Sequence, residues 1–263
     1  AQAVKVVTAP ARLQPMITPA PWQIAAPAIN TTLMAALGWE RYHTTIIEAM
    51  AANDKELVGS LGWDGPLGAL SQTRVNLADY FKETVAVVTN PAIDRERERA
   101  QFSTTSIVGA RPEPGESASG TFLELGIPLL VGGHPALGAA EAHAAVAAQH
   151  GTSTVEDLLA FFGERAVILA MHALPGETLK EAISRLGHEA VAAVVRGAAC
   201  LVLDDSEALA GDPLWLAPLA ATAAVDQALR NAACSPNLRR QAGIVVRSGA
   251  LRDLHDVALC IGL

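Results

Sequence analysis

From residue 135 onward, the chain alternates between short apolar runs and longer stretches in which apolar residues recur every three or four positions. The short runs are typical of buried strands, and the longer stretches are typical of amphipathic helices. Strands are predicted at 166–171, 200–203 and 243–246, and helices at 135–150, 154–162, 176–196, 214–231 and 251–260. This order predicts consecutive βαβ units and a parallel sheet covered by helices. The pattern favours an α/β fold, either barrel-like or an open doubly wound sheet.

Prolines dominate the N-terminal segment. Five of them lie within residues 1–28, and this density excludes regular helix and favours extended backbone. We expect a Pro-rich extended linker at 1–28 that joins the chain to a preceding domain, and one α/β domain over residues 29–263. The first residue is Ala1 and not Met, so both a piece of a longer protein and a stand-alone chain are considered.

Helix starts and breakers alternate in the following segment. Asn30 can cap a short helix that Gly38 breaks. Asn76 can cap another helix, which we expect to run through Val88 and to stop before Pro91, because the residue before a proline is pushed out of the helical region.

The charge and the composition of the chain exclude some classes of binding partner. The formal net charge is -8 and no basic stripe is present, so neither nucleic acid nor a membrane surface is an expected partner. No apolar run reaches the roughly 18 residues of a transmembrane helix. The cysteines Cys200, Cys234 and Cys260 are widely spaced and odd in number. They are typical of buried thiols in a reducing, cytoplasmic compartment and not of disulfides or a metal site.

Two polar clusters are candidates for chemistry. Asp204 and Asp205 follow a predicted parallel strand, which is where α/β folds bind ligands, but aspartate is also common in turns and caps. The run R-D-L-H-D at 252–256 offers an acid–base neighbourhood, although carboxylates also favour a helix start for electrostatic reasons. Neither zinc-ligand spacing nor a serine-nucleophile elbow is present, so no convergent catalytic set is predicted from the residues themselves.

Several motifs resemble the central domain of the glutamate synthase large chain. The specific ones are G-S-L-G-W-D-G-P-L-G-A-L-S at 59–71, D-Y-F-K at 79–82 and V-T-N-P-A-I-D at 88–94. Weaker similarity follows in L-D-D-S at 203–206, where the family has L-S-D-R, and in A-L-R-D-x-H at 250–255. The resemblance covers nearly the whole chain after the Pro-rich segment.

The resemblance implies a place in a larger enzyme of glutamate biosynthesis and ammonia assimilation. The family's large chain combines a glutamine amidotransferase domain, this central domain, a synthase barrel with FMN and an iron–sulfur cluster, and a β-helix. The central domain resembles a degenerate or incomplete (β/α) barrel with mostly parallel strands and flanking helices. It joins the two catalytic domains and contributes to an ammonia channel.

These family properties set the expected cofactors and partners. We expect no catalytic residues, no cofactor and no metal in this chain, because FMN and the iron–sulfur cluster are confined to the synthase domain. Its expected partners are the amidotransferase and synthase domains, in cis or in trans. A homo-oligomer is compatible with this role.

Thr89 and Asn90 are the site residues that the resemblance suggests. Pro91 pins them at a corner, where backbone carbonyls and an amide could hydrogen-bond passing ammonia, so they are candidates to line or gate the channel. The chain departs from the family pattern at four positions. The family has Thr where this chain has Gly65, Pro where it has Ala92, Glu where it has Arg247 and His where it has Asp256.

Two alternative functions stay open. An independent α/β enzyme would build its site at the carboxyl ends of the strands from Asp204, Asp205, Arg247 and His255. Convergence of these side chains in a deep pocket would favour that alternative. A scaffold or regulatory protein would instead have kept the fold and lost the channel.

Overall fold

The structure is a computed structural model, and it describes residues 7–8, 31–53, 70, 74–82, 103–111, 122–132, 140–210, 214–233 and 237–263. Within these residues, the chain forms a mixed α/β fold with eight α-helices and six short strands. The α/β class predicted from the alternating pattern is therefore confirmed.

The strands form two three-stranded sheets. They are β1 (Val7–Thr8), β2 (Ser106–Gly109), β3 (Phe122–Leu125), β4 (Ala166–Ala170), β5 (Cys200–Asp204) and β6 (Gly243–Arg247). One sheet has the order β1-β3-β2, in which β1 runs parallel and β2 antiparallel to β3, and the other is the parallel sheet β4-β5-β6. The prediction of mostly parallel strands holds among the described strands. They form no closed barrel, and the barrel stays a prediction.

The helix starts are set by side chains that cap the first turn. The helices are α1 (Thr31–Ala36), α2 (Arg41–Asn53), α3 (Ala140–Gln149), α4 (Val155–Phe162), α5 (Leu179–Val195), α6 (Ser206–Ala210), α7 (Pro218–Asn231) and α8 (Leu254–Gly262). Thr178 caps α5 through the N–H of Glu181, Asp253 caps α8, and α7 begins with Pro218. All three helices therefore begin a few residues later than periodicity predicts.

Strand β5 lies at the centre of the fold. Its residues are all buried, and they alternate between two apolar cores on opposite faces of the parallel sheet. Leu201 and Leu203 face the core built with α5 and α7. Cys200 and Val202 face the core that includes β2, β3 and α4. Helices and the second sheet therefore cover both faces, as a parallel sheet requires.

The two sheets approach each other closely at the start of β6. A Cβ on Gly243 would lie 2.7 Å from the backbone nitrogen of Gly109 and 2.8 Å from Cγ1 of Val108. Nearby, the backbone N–H of Arg111 donates to the carbonyl of Arg240 at 2.7 Å. Only glycine fits where β6 begins, because any side chain there would push β2 away.

The helix predicted from Asn76 to Val88 is wrong over its first turns. Residues Leu77–Tyr80 form one turn of 3-10 helix, and Phe81 is already extended, with φ of -99° and ψ of 141°. The side chains of Tyr80 and Phe81 are largely exposed, so no apolar stripe packs against the core to extend the helix. The prediction at 83–88 lies outside the described residues, as does most of the predicted 1–28 linker, of which only strand β1 is described.

The close contact at Gly243 makes a testable prediction. Gly243→Ala should lower the free energy of unfolding by about 1–3 kcal/mol, the usual range for overpacking, as measured by urea denaturation. The control Gly262→Ala meets no atom within 4 Å and should change stability by less than ~0.5 kcal/mol. Equal stability of the two variants would contradict the close approach of β2 to β6.

Candidate functional site

Asp204 and Arg247 end neighbouring parallel strands and form an ion pair. The two residues are in register, and Nη1 of Arg247 lies 2.8 Å from Oδ2 of Asp204. The other oxygen, Oδ1, accepts hydrogen bonds from the backbone N–H of Ser206, at 2.7 Å, and from the Ser206 hydroxyl. Both oxygens of this carboxylate are therefore engaged in closing the turn between β5 and α6.

Asp205 connects the loops that follow β5 and β6. Its buried carboxylate accepts hydrogen bonds from Oγ of Ser248 at 2.5 Å, Nε1 of Trp215 at 3.2 Å and the N–H of Gly249 at 3.3 Å. Burial raises the pKa of Asp205 because it disfavours the charged form, and the nearby charge of Asp204 acts in the same direction. The three hydrogen bonds oppose this shift, and they hold the two loops together.

His255 has a different partner. Its Nε2 lies 3.0 Å from the carbonyl oxygen of Ala78, and within the described residues no hydrogen bond or ion pair joins it to the two aspartates or to Arg247. Of the four side chains considered for an independent enzyme, Asp204 and Arg247 thus contact each other. The carboxylate of Asp205 has separate partners, and His255 is bound to the 3-10 turn at 77–80.

Arg252 is buried, with 3% of its surface exposed, and its guanidinium holds three segments together. It donates from Nε and Nη2 to Asp256, at 2.9 and 3.1 Å. It donates from Nη2 and Nη1 to Asp79, at 2.6 and 3.3 Å, and from Nη1 to the carbonyl of Gly38 at 3.1 Å. All five donors of the guanidinium therefore have acceptors. We call Arg252, Asp256, Asp79 and Gly38 the Arg252 clasp.

The electrostatics of the clasp favour a permanently charged arginine. Burial lowers the pKa of Arg252, but the hydrogen bonds and charges of Asp256 and Asp79 outweigh it, so the pKa is raised above its ordinary value. A buried guanidinium would otherwise be strongly unfavourable, and here two carboxylates and a carbonyl compensate it. The clasp thus depends on having both acids present.

Further hydrogen bonds extend the clasp. Oδ2 of Asp79 accepts the backbone N–H of Asn76 at 2.7 Å, and Nδ2 of Asn76 donates to the carbonyl of Leu37 at 2.7 Å. Gly38 has a φ of 78°, and a Cβ there would lie 2.9 Å from Asn76, so this corner requires glycine for both reasons. Trp39 adds a hydrogen bond from Nε1 to the carbonyl of Gly249 at 2.7 Å.

The clasp joins two of the family-like motifs. Arg252 belongs to A-L-R-D-x-H and Asp79 to D-Y-F-K, and the two residues are 173 positions apart in the chain. From the sequence alone, the 252–256 run indicates a helix start or an acid–base neighbourhood, and this contact was not predicted. The opposite charges of Arg252 and Asp79 were the one signal in the sequence that could have indicated this contact. No periodicity links positions so far apart in the chain.

A shallow cleft lies beside the clasp. Its cavity volume is ≈ 20 Å³, which is room for about one water molecule. The lining is mostly apolar and includes Ala78, Trp215, Leu219, Leu251 and Cys260. A cleft of this size is far below the usual volume of a small-molecule site.

Thr89 and Asn90, the channel candidates, lie outside the described residues, as do most of the glycine-rich loop at 57–70 and Cys234. Their role therefore stays a prediction. The structure describes the nearest family-like motif before them, D-Y-F-K at 79–82, and places its aspartate in the clasp.

The described cysteines are poorly suited to nucleophilic chemistry. Burial raises the pKa of Cys200 to about 12. Burial and the charge of Asp256 raise the pKa of Cys260 to about 11, against a hydrogen bond with Thr222. No disulfide joins these two residues. In the part of the chain that the structure describes, no group of three or more His, Cys, Asp or Glu residues could hold a metal ion.

The geometry defines a class of protein. It is an α/β domain in which polar residues at the carboxyl edge of a parallel sheet hold the domain's own loops and helices together. The family model described as the glutamate synthase central domain matches residues 32–263. The chain belongs to the glutamate synthase central domain family. No described helix has both the length and the apolar character needed to span a membrane.

Curated relatives are glutamate synthases of several types. The chain is 33% identical over 221 residues to the chloroplastic ferredoxin-dependent glutamate synthase of Spinacia oleracea, covering 82% of this chain and 12% of the relative. It is 30% identical over 223 residues to the NADPH glutamate synthase large chain of Azospirillum brasilense, covering 83% and 13%. It is 28% identical over 211 residues to the NADPH glutamate synthase large chain of Bacillus subtilis, covering 79% of this chain and 12% of the relative. The chain thus spans about an eighth of these relatives.

Removing the cation from the clasp should destabilise the domain strongly. Arg252→Ala leaves two carboxylates in the clasp without their partner, for which we expect a loss of about 3–5 kcal/mol in urea denaturation. Arg252→Lys keeps the charge but has three donors instead of five, so its loss should be smaller. Arg196→Ala, at an exposed position, is the control and should change stability by less than ~0.5 kcal/mol. Similar values for Arg252→Ala and Arg196→Ala would contradict the clasp.

The raised thiol pKa values predict slow alkylation. At about pH 8, a pKa of about 12 leaves a thiolate fraction of ~0.0001 at Cys200. A pKa of about 11 leaves a thiolate fraction of ~0.001 at Cys260. A free cysteine is about a quarter thiolate at the same pH. In a Cys234→Ser chain, both thiols should react at least ~100-fold more slowly when folded than in guanidinium chloride. Mass spectrometry of the alkylated peptides measures each rate. Rapid labelling of the folded chain would contradict the burial of these groups.

Proposed function

We propose that this chain is the central, non-catalytic domain of a glutamate synthase-like protein. In this role it links a glutamine amidotransferase domain to an FMN-containing synthase domain and contributes to the channel that carries ammonia between them. The observation that carries the proposal is the family match over residues 32–263. FMN and the iron–sulfur cluster would belong to the synthase domain and not to this chain.

The Arg252 clasp supports the linking role. A domain that holds two active sites at a constant separation must resist deformation, and a buried ion-pair network with every donor satisfied is rigid. The clasp ties the last helix, α8, to the Gly38 corner near the start of the described fold and to the 77–80 turn. Strain applied at either end of the domain would therefore be transmitted through the clasp.

The engaged aspartates also support a non-catalytic role. Both oxygens of Asp204 and both oxygens of Asp205 accept hydrogen bonds from within the domain. A general acid or base must exchange its proton with a substrate, and each of these carboxylates would first have to give up contacts that hold its loop. We therefore favour the linking role over an independent enzyme at this edge.

The channel role centres on Thr89 and Asn90. In the sequence they follow the D-Y-F-K motif, whose Asp79 belongs to the clasp. Ammonia in transit needs weak, neutral hydrogen-bonding partners, because a protonated acidic side chain would give its proton to ammonia and hold the resulting ammonium as an ion pair. A threonine hydroxyl, an amide and backbone carbonyls fit that requirement.

Coupling between glutamine hydrolysis and glutamate formation tests this proposal. In an intact glutamate synthase large chain, the changes Thr89→Val and Asn90→Leu in the V-T-N-P motif should uncouple the two reactions by removing the polar contacts along the ammonia path. The measurement is the ratio of glutamine hydrolysed to 2-oxoglutarate consumed, which is one to one when ammonia is fully channelled and rises when ammonia escapes.

The matched control makes the same two changes away from the motif. Thr45→Val with Asn53→Leu alters exposed residues of α2 and should leave the ratio unchanged. If the Thr89 and Asn90 variant keeps full coupling while remaining folded, these residues do not line the channel. The linking role would survive that result, since it rests on the family match and the clasp.

A further inference from the structure

The side chain of His43 lies where the starts of two helices meet. His43 is the third residue of α2 and is buried, with 8% of its surface exposed. Its Nδ1 lies 3.0 Å from the backbone nitrogen of Glu40, and its Nε2 lies 3.7 Å from Oδ2 of Asp253, the residue that caps α8. The proposed linking and channel roles do not use this histidine.

The contact between His43 and Glu40 is a reciprocal helix cap. The carbonyl of Glu40 accepts the N–H of His43 at 3.1 Å, and Nδ1 of His43 accepts the N–H of Glu40 in return. A glutamate or glutamine usually fills this third helical position, because its side-chain oxygen accepts the N–H of the residue before the helix. An imidazole nitrogen can accept only when it carries no proton. The cap therefore requires a neutral His43 with its proton on Nε2, the nitrogen that faces Asp253.

Asp253 is the charged group that faces His43 from α8 in the part of the chain that the structure describes. Its Oδ1 accepts the N–H of Asp256 at 3.1 Å, which leaves Oδ2 directed at the imidazole. Arg252 precedes Asp253 in the chain, but its guanidinium donates within the clasp. The carboxylate of Asp253 is therefore placed to respond to a charge on the ring.

The neighbours of the ring in its own segment carry no charge towards it. Trp39 and Tyr42 contact the ring edge to face, with ring centroids 6.1 and 5.8 Å away. The charged side chains of Glu40 and Arg41 are exposed, and neither forms an ion pair with His43 among the described residues. The protonation state of His43 is thus balanced between the N–H of Glu40 on one side and the carboxylate on the other.

We propose that His43 is a pH-responsive cap, which holds the first turn of α2 while it is neutral and releases that turn when it is protonated. The proton would bind at Nδ1, so the N–H of Glu40 would lose its acceptor and face a second donor. The positive charge would at the same time attract the ring towards the carboxylate of Asp253. Protonation therefore weakens the start of α2 and strengthens the contact with the start of α8.

The direction of the effect with pH follows from these contacts. Histidine is the side chain that ordinarily changes its charge between about pH 5 and 8. The cap on α2 is present on the alkaline side of this titration and is lost as the pH falls through it. The ion pair with Asp253 is present only on the acidic side.

The release is local, because two other contacts hold the same corner of the chain. Nε1 of Trp39 donates to the carbonyl of Gly249, and the guanidinium of Arg252 donates to the carbonyl of Gly38. Neither contact involves a histidine. We therefore expect the first turn of α2 to loosen in acid while the domain stays folded.

NMR spectroscopy of the whole chain tests the proposal. At about pH 8, the ring nitrogens should show His43 as the Nε2–H tautomer. From about pH 8 to about pH 5, the protection of the Glu40 amide against hydrogen exchange, corrected for the intrinsic effect of pH, should fall about fivefold, as expected for one lost hydrogen bond. This fall should have the same midpoint as the titration of the His43 ring, and the amide of Asp256, which Asp253 caps, should keep its protection.

Two variants separate the cap from other effects of pH. His43→Gln keeps an acceptor at the third helical position but cannot titrate, so the protection of the Glu40 amide should not change with pH. His188→Gln removes an exposed histidine of α5 and should keep the pH-dependent fall. An Nδ1–H tautomer at about pH 8 would overturn the proposal. So would Glu40 protection that stays constant through the titration of His43, or that falls equally in His43→Gln.

Discussion

A guanidinium group buried among protein atoms must have nearly every donor satisfied, and this constraint organises the domain around Arg252. The five donors reach Asp256 on the same helix, Asp79 in a distant turn and the carbonyl of Gly38. Losing any acceptor would leave charge or hydrogen-bonding capacity unmatched at a site where water cannot replace it. The early helices, the 77–80 turn and the C-terminal helix are therefore held in one arrangement, although the parallel sheet alone would not bring them together.

The parts of the fold that depend on local composition were predictable. The strands at 166, 200 and 243 are continuous apolar runs, and both faces of β5 are buried as such runs indicate. The predicted helix starts were wrong by about one turn, because capping residues such as Thr178, and Pro218 at the first helical position, determine where the helices begin. The segment after Asn76 was mispredicted because Asp79 turns back to the Asn76 N–H and outward to Arg252, so tertiary contacts and not an apolar stripe determine its conformation.

The candidate site was predictable in kind but not in arrangement. The 204–205 aspartates and the 252–256 run could be identified, because polar residues after strands and at helix starts stand out against an apolar chain. The sequence does not show that Asp205 contacts Ser248 and Trp215, or that His255 contacts Ala78. Such pairings depend on how separate loops fold back on one another, and no pattern within a single segment encodes them.

Asp204 and Arg247 also carry an evolutionary consequence. The family motifs that the chain resembles have Ser and Glu at these positions, and in this structure Asp204 and Arg247 are each other's ion-pair partner. Returning either position alone to the family residue would leave Arg247 facing a neutral hydroxyl, or set two carboxylates against each other. We therefore expect that a chimaera with another family member must exchange the ends of β5 and β6 together.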